Sequence, residues 1–399
     1  MPTYTWQGRN RFGQFVKGER VASSIEEVSK LLHRDQIVPI NIERKKVLPI
    51  PPILPKKVSL RELAVLSRQF AVMFSAGLPI VQSLEILGTQ QTNKHFREAI
   101  LEVKKSVEEG STLNNALKKF PKIFNELYCN MIASGEASGN LDLILQRISA
   151  YMEKSVKLRG QIRSAMAYPI GVISVAIIIL SLILWKIIPA FKNLFQDLGA
   201  SLPFFTQVVI SLSNFFANNI LLFILIITAG IFGFRQYYKT YRGRRTVDAF
   251  ILKIYVFGEL IKKISLARFA RTLSTLISSG VPMLEAMSIT SKTAGNSIIE
   301  DSVNKSRESV AEGNSLGDSL KVTKTFPPMV VQMINAGEQT GALDEMLDKV
   351  AEFYEDEVEK TVQTLVSLLE PAMIVFLGIL IGGIVISMYL PLIKLLGEF

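Results

Sequence analysis

The stretch "ASGEASGNLD" (residues 133–142) returns about two hundred residues later as "NAGEQTGALD" (residues 335–344). A glutamate set among glycines suits a catalytic carboxylate, a metal loop or a helix corner. The surroundings repeat as well. "SAGLP" (75–79) meets "SSGVP" (278–282), and "EGSTLNNAL" (109–117) meets "EGNSLGDSL" (312–320). Phe120-Pro121 recurs as Phe326-Pro327, Pro169 as Pro371, and Pro189 as Pro391. So many matches in one order mean a duplicated unit. The copies differ in one place. Phe120 to Glu136 covers 17 residues and Phe326 to Glu338 covers 13, so their last helices are expected to sit differently.

Each copy reads as about six short helices. Leu63, Leu66, Phe70, Met73 and Phe74 recur at helical spacing. Gly77 then stops one helix and Pro79 opens the next, as Gly280 and Pro282 do in the second copy. In the quoted corner, Gly139 and Gly341 are expected to end a helix. Gly135 and Gly337 are expected to allow close packing. Glu136 and Glu338 are expected to bond backbone donors or a neighbouring helix. Asp142 and Asp344 then fall near the positive start of the following helix. Beyond the corner, Leu141, Ile144, Leu145, Ile148 and Tyr151 form a stripe with no strong breaker before Pro169. One helix of roughly 70 Å is expected to run from bundle to membrane.

Hydrophobic residues make up 49% of the 399, yet 20% are charged, which suits a chain part in water and part in lipid. Residues 164–185 and 371–393 carry no charge and are long enough to span. Residues 198–234 form a third uncharged run, roughly 55 Å if helical. It reads as an interfacial segment followed by a span over 214–234. Lys154, Lys157, Arg159 and Arg163 precede the first span; Arg235, Lys239, Arg242, Arg244 and Arg245 follow the second. Both flanks are therefore expected inside, with the N-terminus cytoplasmic. The acidic inner flank of the third span does not support that rule and is outweighed. Within the third span, Gly378 and Gly382 form a G-x-x-x-G suited to close helix packing.

The expected fold is an all-α membrane protein. Two homologous cytoplasmic six-helix bundles carry three transmembrane helices, and a small α/β domain precedes them. Residues 1–46 form that domain, with a hairpin, a Ser-capped helix and a strand. Residues 47–57 are a proline-rich linker, and 58–168 the first bundle. The spans are 169–189, 214–234 and 371–393. Residues 190–213 are interfacial, 235–259 a basic connector, 260–370 the second bundle and 394–399 a short outer tail. Charge divides along this map. Residues 58–168 hold 14 Lys+Arg against 10 Asp+Glu, and 259–370 hold 11 against 17. A basic part followed by an acidic part argues for distinct protein partners and against nucleic acid. The run Glu355, Asp356, Glu357 and Glu359 is expected to be a solvated helix face.

Catalytic apparatus is missing from the sequence. No G-x-x-x-x-G-K-S/T or H-E-x-x-H occurs, and one cysteine and two histidines leave little for nucleophilic or metal chemistry. No catalytic residue, metal or cofactor is expected, and no signal peptide is visible at the N-terminus. The spans carry no charge midway, which counts against a repeat-built transporter.

The motifs "RQFAVMFSAGLP", "VEEGSTLNNAL", "FPKIF" and "IASGEASGNLD", with "AMAYP" entering a span, resemble the inner-membrane platform proteins of type IV pilus and type II secretion machines. "TLSTLISSGVP", "FPPMVVQMINAGEQTGALD" and "LLEPAMI" fit the same family, and "YTWQGRNRFGQFVKGE" is closer to its pilus branch. The resemblance implies a multi-pass protein of the bacterial inner membrane with no enzymatic activity of its own. It implies contact with a cytoplasmic hexameric ATPase, with pilin subunits and with other inner-membrane assembly proteins. It also implies a homo-oligomer, commonly a dimer. A secretion platform is the alternative within the family, and a transporter is a more distant one.

Overall fold

The computed structural model describes residues 3–10, 12, 14–44, 57–197 and 203–397. Almost all of the proline-rich linker and the last two residues of the tail lie outside them. Contacts divide the chain into a small unit, residues 1–57 with 93–95, and a large unit holding the rest.

In the small unit, β1 (Thr3–Asn10) pairs antiparallel with β2 (Phe15–Val21) and with β3 (Ile37–Arg44), and α1 (Ile25–Arg34) lies between β2 and β3 in sequence. Ser24 caps α1 by accepting from Glu27 N. Tyr4, Trp6, Val28 and Leu32 form the core. Pro39, which has no N–H for a ladder, stands on an edge strand beside a register shift.

The large unit is helical. The first repeat contains α2 (Leu60–Ser75), α3 (Ile80–Gln90), α4 (Lys94–Glu108), α5 (Leu113–Lys118), α6 (Glu126–Ser138) and α7 (Leu141–Leu182). A π-helical turn, Ile183–Ile187, carries α7 into α8 (Ile188–Asp197). Then come α9 (Phe204–Asn218), α10 (Ile220–Lys239) and α11 (Tyr241–Lys253). The second repeat contains α12 (Tyr255–Ser278), α13 (Met283–Thr293), α14 (Ser297–Ala311), α15 (Leu316–Val322), α16 (Pro328–Thr340) and α17 (Leu343–Gly397). Ser59 starts α2 with a capping box: its hydroxyl accepts from Glu62 N while Glu62 accepts from Ser59 N.

The repeats do not stand apart as two separate bundles. Their buried faces merge into one apolar core, from Leu66, Phe70 and Leu145 through Phe269 and Leu273 to Leu347 and Val350. Polar contacts cross between the copies as well. Ser134 Oγ donates to Ser279 O, and Tyr151 and Thr272 share a hydrogen bond of 3.2 Å between their hydroxyls.

Pro169 lies inside α7, and Pro371 and Pro391 lie inside α17, without ending either helix. At about 1.5 Å per residue, the 55 residues of α17 reach about 80 Å. Among the described residues, two helical stretches are long and apolar enough to cross a membrane, Leu141–Leu194 and Leu343–Pro391. The helices α7 and α17 pack together through Leu158, Met166, Val358, Val362, Leu365 and Leu369. Farther along, α9 ties them. Thr206 Oγ1 donates to Ser387 O at 2.7 Å, and Ser213 Oγ donates to Leu184 O.

The middle apolar run divides later than residue 214. Residues 214–218 belong to α9, and the break is at Asn219, whose side chain donates to Phe215 O at 2.9 Å. An asparagine amide competes for backbone partners and so favours a helix boundary. The solidly apolar helix starts only at Ile220. The basic stretch after it is also a helix, α11, packed on α14.

Phe269 is fully buried, with its ring 4.9 Å from that of Phe326. Phe269→Ala is expected to lower stability by about 3–5 kcal/mol. Denaturant unfolding of the full chain in detergent should show both repeats melting in one transition, because their core is shared.

Candidate functional site

The repeated corner is a carboxylate clamp on a helix start. The first four N–H groups of any helix lack partners within it. In α5, Glu136 Oε1 accepts from Leu113 N at 2.6 Å and Oε2 from Asn114 N at 3.1 Å. Thr112 Oγ1 takes the next, Asn115 N, at 3.2 Å. The second copy repeats the arrangement. Glu338 accepts from Leu316 N at 2.7 Å and from Gly317 N at 3.0 Å, and Ser315 takes Asp318 N at 3.2 Å. A carboxylate at the positive end of a helix gains from the dipole as well as from the bonds.

The difference in spacing between the copies does not alter this corner. The glutamate stands 23 residues beyond its first partner in one repeat and 22 in the other. The second repeat gains residues before its Phe-Pro and loses them after it. The change falls in the turn between α15 and α16, while both ends of the clamp stay in register.

The glycines make the turn possible. Gly139 and Gly341 end α6 and α16 at φ 73° and 71°, a region open to glycine at little cost. Gly135 and Gly337 lie where the following helix comes closest. A β-carbon at Gly337 would stand 2.8 Å from the Cα of Leu343, and one at Gly135 would stand 3.3 Å from that of Leu141. Gly77 and Gly280 also have positive φ, and Pro79 and Pro282 precede α3 and α13 as caps. In contrast, a β-carbon at Gly378 or Gly382 would meet nothing within 4 Å. Neither packs against another helix of this chain among the described residues.

Both oxygens of each glutamate are used by backbone donors. Among the described residues no group of His, Cys, Asp and Glu is placed to hold a metal. Cys129 is buried, and burial pushes its thiol up to about 11, so it stays protonated at neutral pH and is a poor nucleophile.

The duplicated clamp, each copy feeding one long helix, matches a known family model. The description "Type II secretion system (T2SS), protein F" covers residues 66–189 and again 269–391, and its N-terminal domain covers 1–43. The chain belongs to the type II secretion system protein F family. It is 42% identical over 396 residues to "Type IV pilus assembly protein PilC" of Myxococcus xanthus, covering 99% of this chain and 95% of that protein. It is 42% identical over 402 residues to the protein of the same name from Thermus thermophilus, covering 100% and 99%. "Type II secretion system protein F" of Pseudomonas aeruginosa is 32% identical over 401 residues, covering 99% of each chain.

In this member of the family, the acidic run on α17 is a solvated face only at Asp356 and Glu359, which are exposed. Glu355 and Glu357 point at α12. Arg271, only 7% exposed, donates to both oxygens of Glu355 at 2.9 and 3.0 Å and also pairs with Asp348. Lys263 reaches Glu357 at 3.1 Å and Glu259 at 2.8 Å. Burial works against the charge of Lys263, but the two carboxylates outweigh it and raise its pKa. Glu359 accepts from Gln161 on α7 at 2.7 Å. Charges this close are spoken for by α12 and α7, which the order of residues along α17 does not reveal.

A second anchor escaped the sequence altogether. Asp248 on α11 is 3% exposed and accepts from Ser297 N, the first residue of α14, at 2.8 Å and from Tyr238 OH on α10 at 2.9 Å. Arg244 pairs with Glu300 at 3.0 Å and Arg245 with Asp301 at 3.5 Å. Part of the basic connector is thus matched to acids of the second repeat.

Removing one clamp leaves two N–H groups unpaired, so Glu136→Ala and Glu338→Ala are each expected to cost about 1–3 kcal/mol, with Glu→Gln milder. Thermal unfolding of the purified chain measures this. Hydrogen bonds from Lys263 and then Lys360 hold the Glu357 carboxyl below its ordinary value of 4.5. A depressed carboxylate stabilises the fold above that value, and the contribution is lost as pH falls through the lowered pKa. The melting temperature should therefore drop with acidification below about 4.5, and Glu357→Gln should flatten that slope.

Proposed function

We propose that this protein is the platform of a type IV pilus assembly machine. Full-length identity of 42% to two proteins named type IV pilus assembly protein carries the proposal. The 32% identity to a secretion protein F keeps the secretion platform as the second reading. In the pilus reading a cytoplasmic hexameric ATPase supplies energy. The platform passes its movement to pilin subunits entering the fibre, together with other inner-membrane assembly proteins and a further copy of itself.

The architecture supports a mechanical role. Each clamped corner feeds directly into a helix that continues without a break into an apolar stretch. We place three spans in the bacterial inner membrane, near 169–189, 371–393 and along α10, with the N-terminus and both repeats cytoplasmic. The third span rests on the 20 apolar-rich residues of α10, whose described flank is exposed, and on the basic residues that follow it.

Deleting the gene should abolish surface pili, and plasmid-borne wild type should restore them, while turnover of the purified ATPase stays measurable. Intact pili in the deletion strain refute the proposal. Intact pili combined with loss of a secreted protein favour the secretion reading.

A further inference from the structure

We propose that the groove between α7 and α17 holds one acyl chain of a cytoplasmic-leaflet phospholipid, with the lipid phosphate at Arg163. The inference rests on the membrane placement given above. Below the groove the two helices are packed together through Met166 and Leu369. Above it α9 bridges them, from Thr206 to Ser387 and from Ser213 to Leu184. Between these two closures the helices part and leave a cavity of about 460 Å³. That volume is ordinary for a small-molecule site, about 300–1,000 Å³. Its walls are apolar, with Gly171, Val175 and Ile179 from α7 and Leu377 and Ile381 from α17.

Length selects the occupant. The cavity follows α7 from Ala167 to Leu180, about 20 Å at about 1.5 Å per residue. One hydrocarbon leaflet is about 15 Å deep, half of a core of about 30 Å. A single acyl chain fits that depth. A transmembrane helix of another protein needs about 30 Å of groove and meets α9 first.

Charge at the mouth agrees. Arg163, Ala167, Gly171 and Val175 follow one another at intervals of four and so share a face of α7. Arg163 is exposed and has no ion-pair partner among the described residues. Tyr168, exposed at the near end of the cavity, is the residue type favoured at a membrane surface. On α17 the face of Leu377 leads back two turns to the exposed Glu370. Phosphatidylethanolamine brings a phosphate for Arg163 and an ammonium for Glu370.

The test uses the full chain in vesicles of phosphatidylethanolamine and phosphatidylglycerol. A trace of phosphatidylethanolamine carries a diazirine on one acyl chain. After irradiation, label on residues 171–180 and 377–381 is expected to exceed that on residues 224–231 of α10 by about threefold or more, as for a site of modest preference. A β-carbon at Gly171 meets nothing within 4 Å, so Gly171→Trp fills open space and is expected to bring the groove down to the level of α10. Arg163→Gln is expected to lower groove label about two- to fivefold, the range of an exposed ion pair. Equal label on the groove and α10 overturns the proposal while leaving the membrane placement intact. Insensitivity to both variants, or crosslinks to a second polypeptide in place of lipid, also overturns it. Absence of label from all three helices removes the membrane placement and the proposal with it.

Discussion

A carboxylate bound to two backbone N–H groups is the constraint on which the large unit depends. Short helices are weak by themselves, since nucleation is costly and six or seven residues repay little of it. The helices α5 and α15 have that length. Their first turns hold because Glu136 and Glu338 supply acceptors from another helix, and Thr112 and Ser315 supply the third. The same glutamates fix α6 and α16, whose next residues turn through a left-handed glycine into α7 and α17. One side chain therefore sets both where the short helix begins and where the long one departs.

Much of this was legible in the sequence because it is local or repeated. Duplication exposed the corner by stating it twice. Gly139 and Gly341 announced helix ends, since few other residues take positive φ cheaply. Uninterrupted apolar stripes gave the long helices. What remained hidden depends on partners far along the chain. Asp248 lies 49 residues from Ser297, and Arg271 lies 77 and 84 residues from Asp348 and Glu355. An acidic run on a helix has the same spacing whether it faces water or arginine. Only the position of α12 decides, and periodicity along α17 carries no information about it. The merged core was hidden for a similar reason, because two copies with apolar faces can bury them separately or against each other.

The charge division of the chain acquires a structural meaning. Basic and acidic stretches of the chain also pair with each other within the molecule. Lys154 pairs with Glu352, Lys292 with Glu126, and Arg244 with Glu300. Exposed pairs such as Lys292 with Glu126 contribute little stability. Arg271 is different, since its guanidinium is buried and loss of its acidic partners leaves that charge uncompensated. The polar seam thus fixes the alignment of α12 on α17, while the apolar core supplies most of the energy.

These constraints together make α7 and α17 one mechanical body. They are joined near the corners by the shared core and then by Lys154 with Glu352 and Gln161 with Glu359. Farther along they are joined by the cluster around Val358 and Val362, and at their far ends by α9. Interdigitated cores deform little, so a tilt imposed on the helical repeats is carried along both helices instead of being absorbed at their entry. The prolines within them do not break this continuity, because neither helix ends there. By contrast, α10 is tied at its end to α11 and α14 through Tyr238 and Asp248, and its described apolar flank is exposed. The chain therefore presents two kinds of apolar helix, a braced pair and a single one joined to α9 at its start, where Phe223 meets Phe215, and to α11 and α14 at its end.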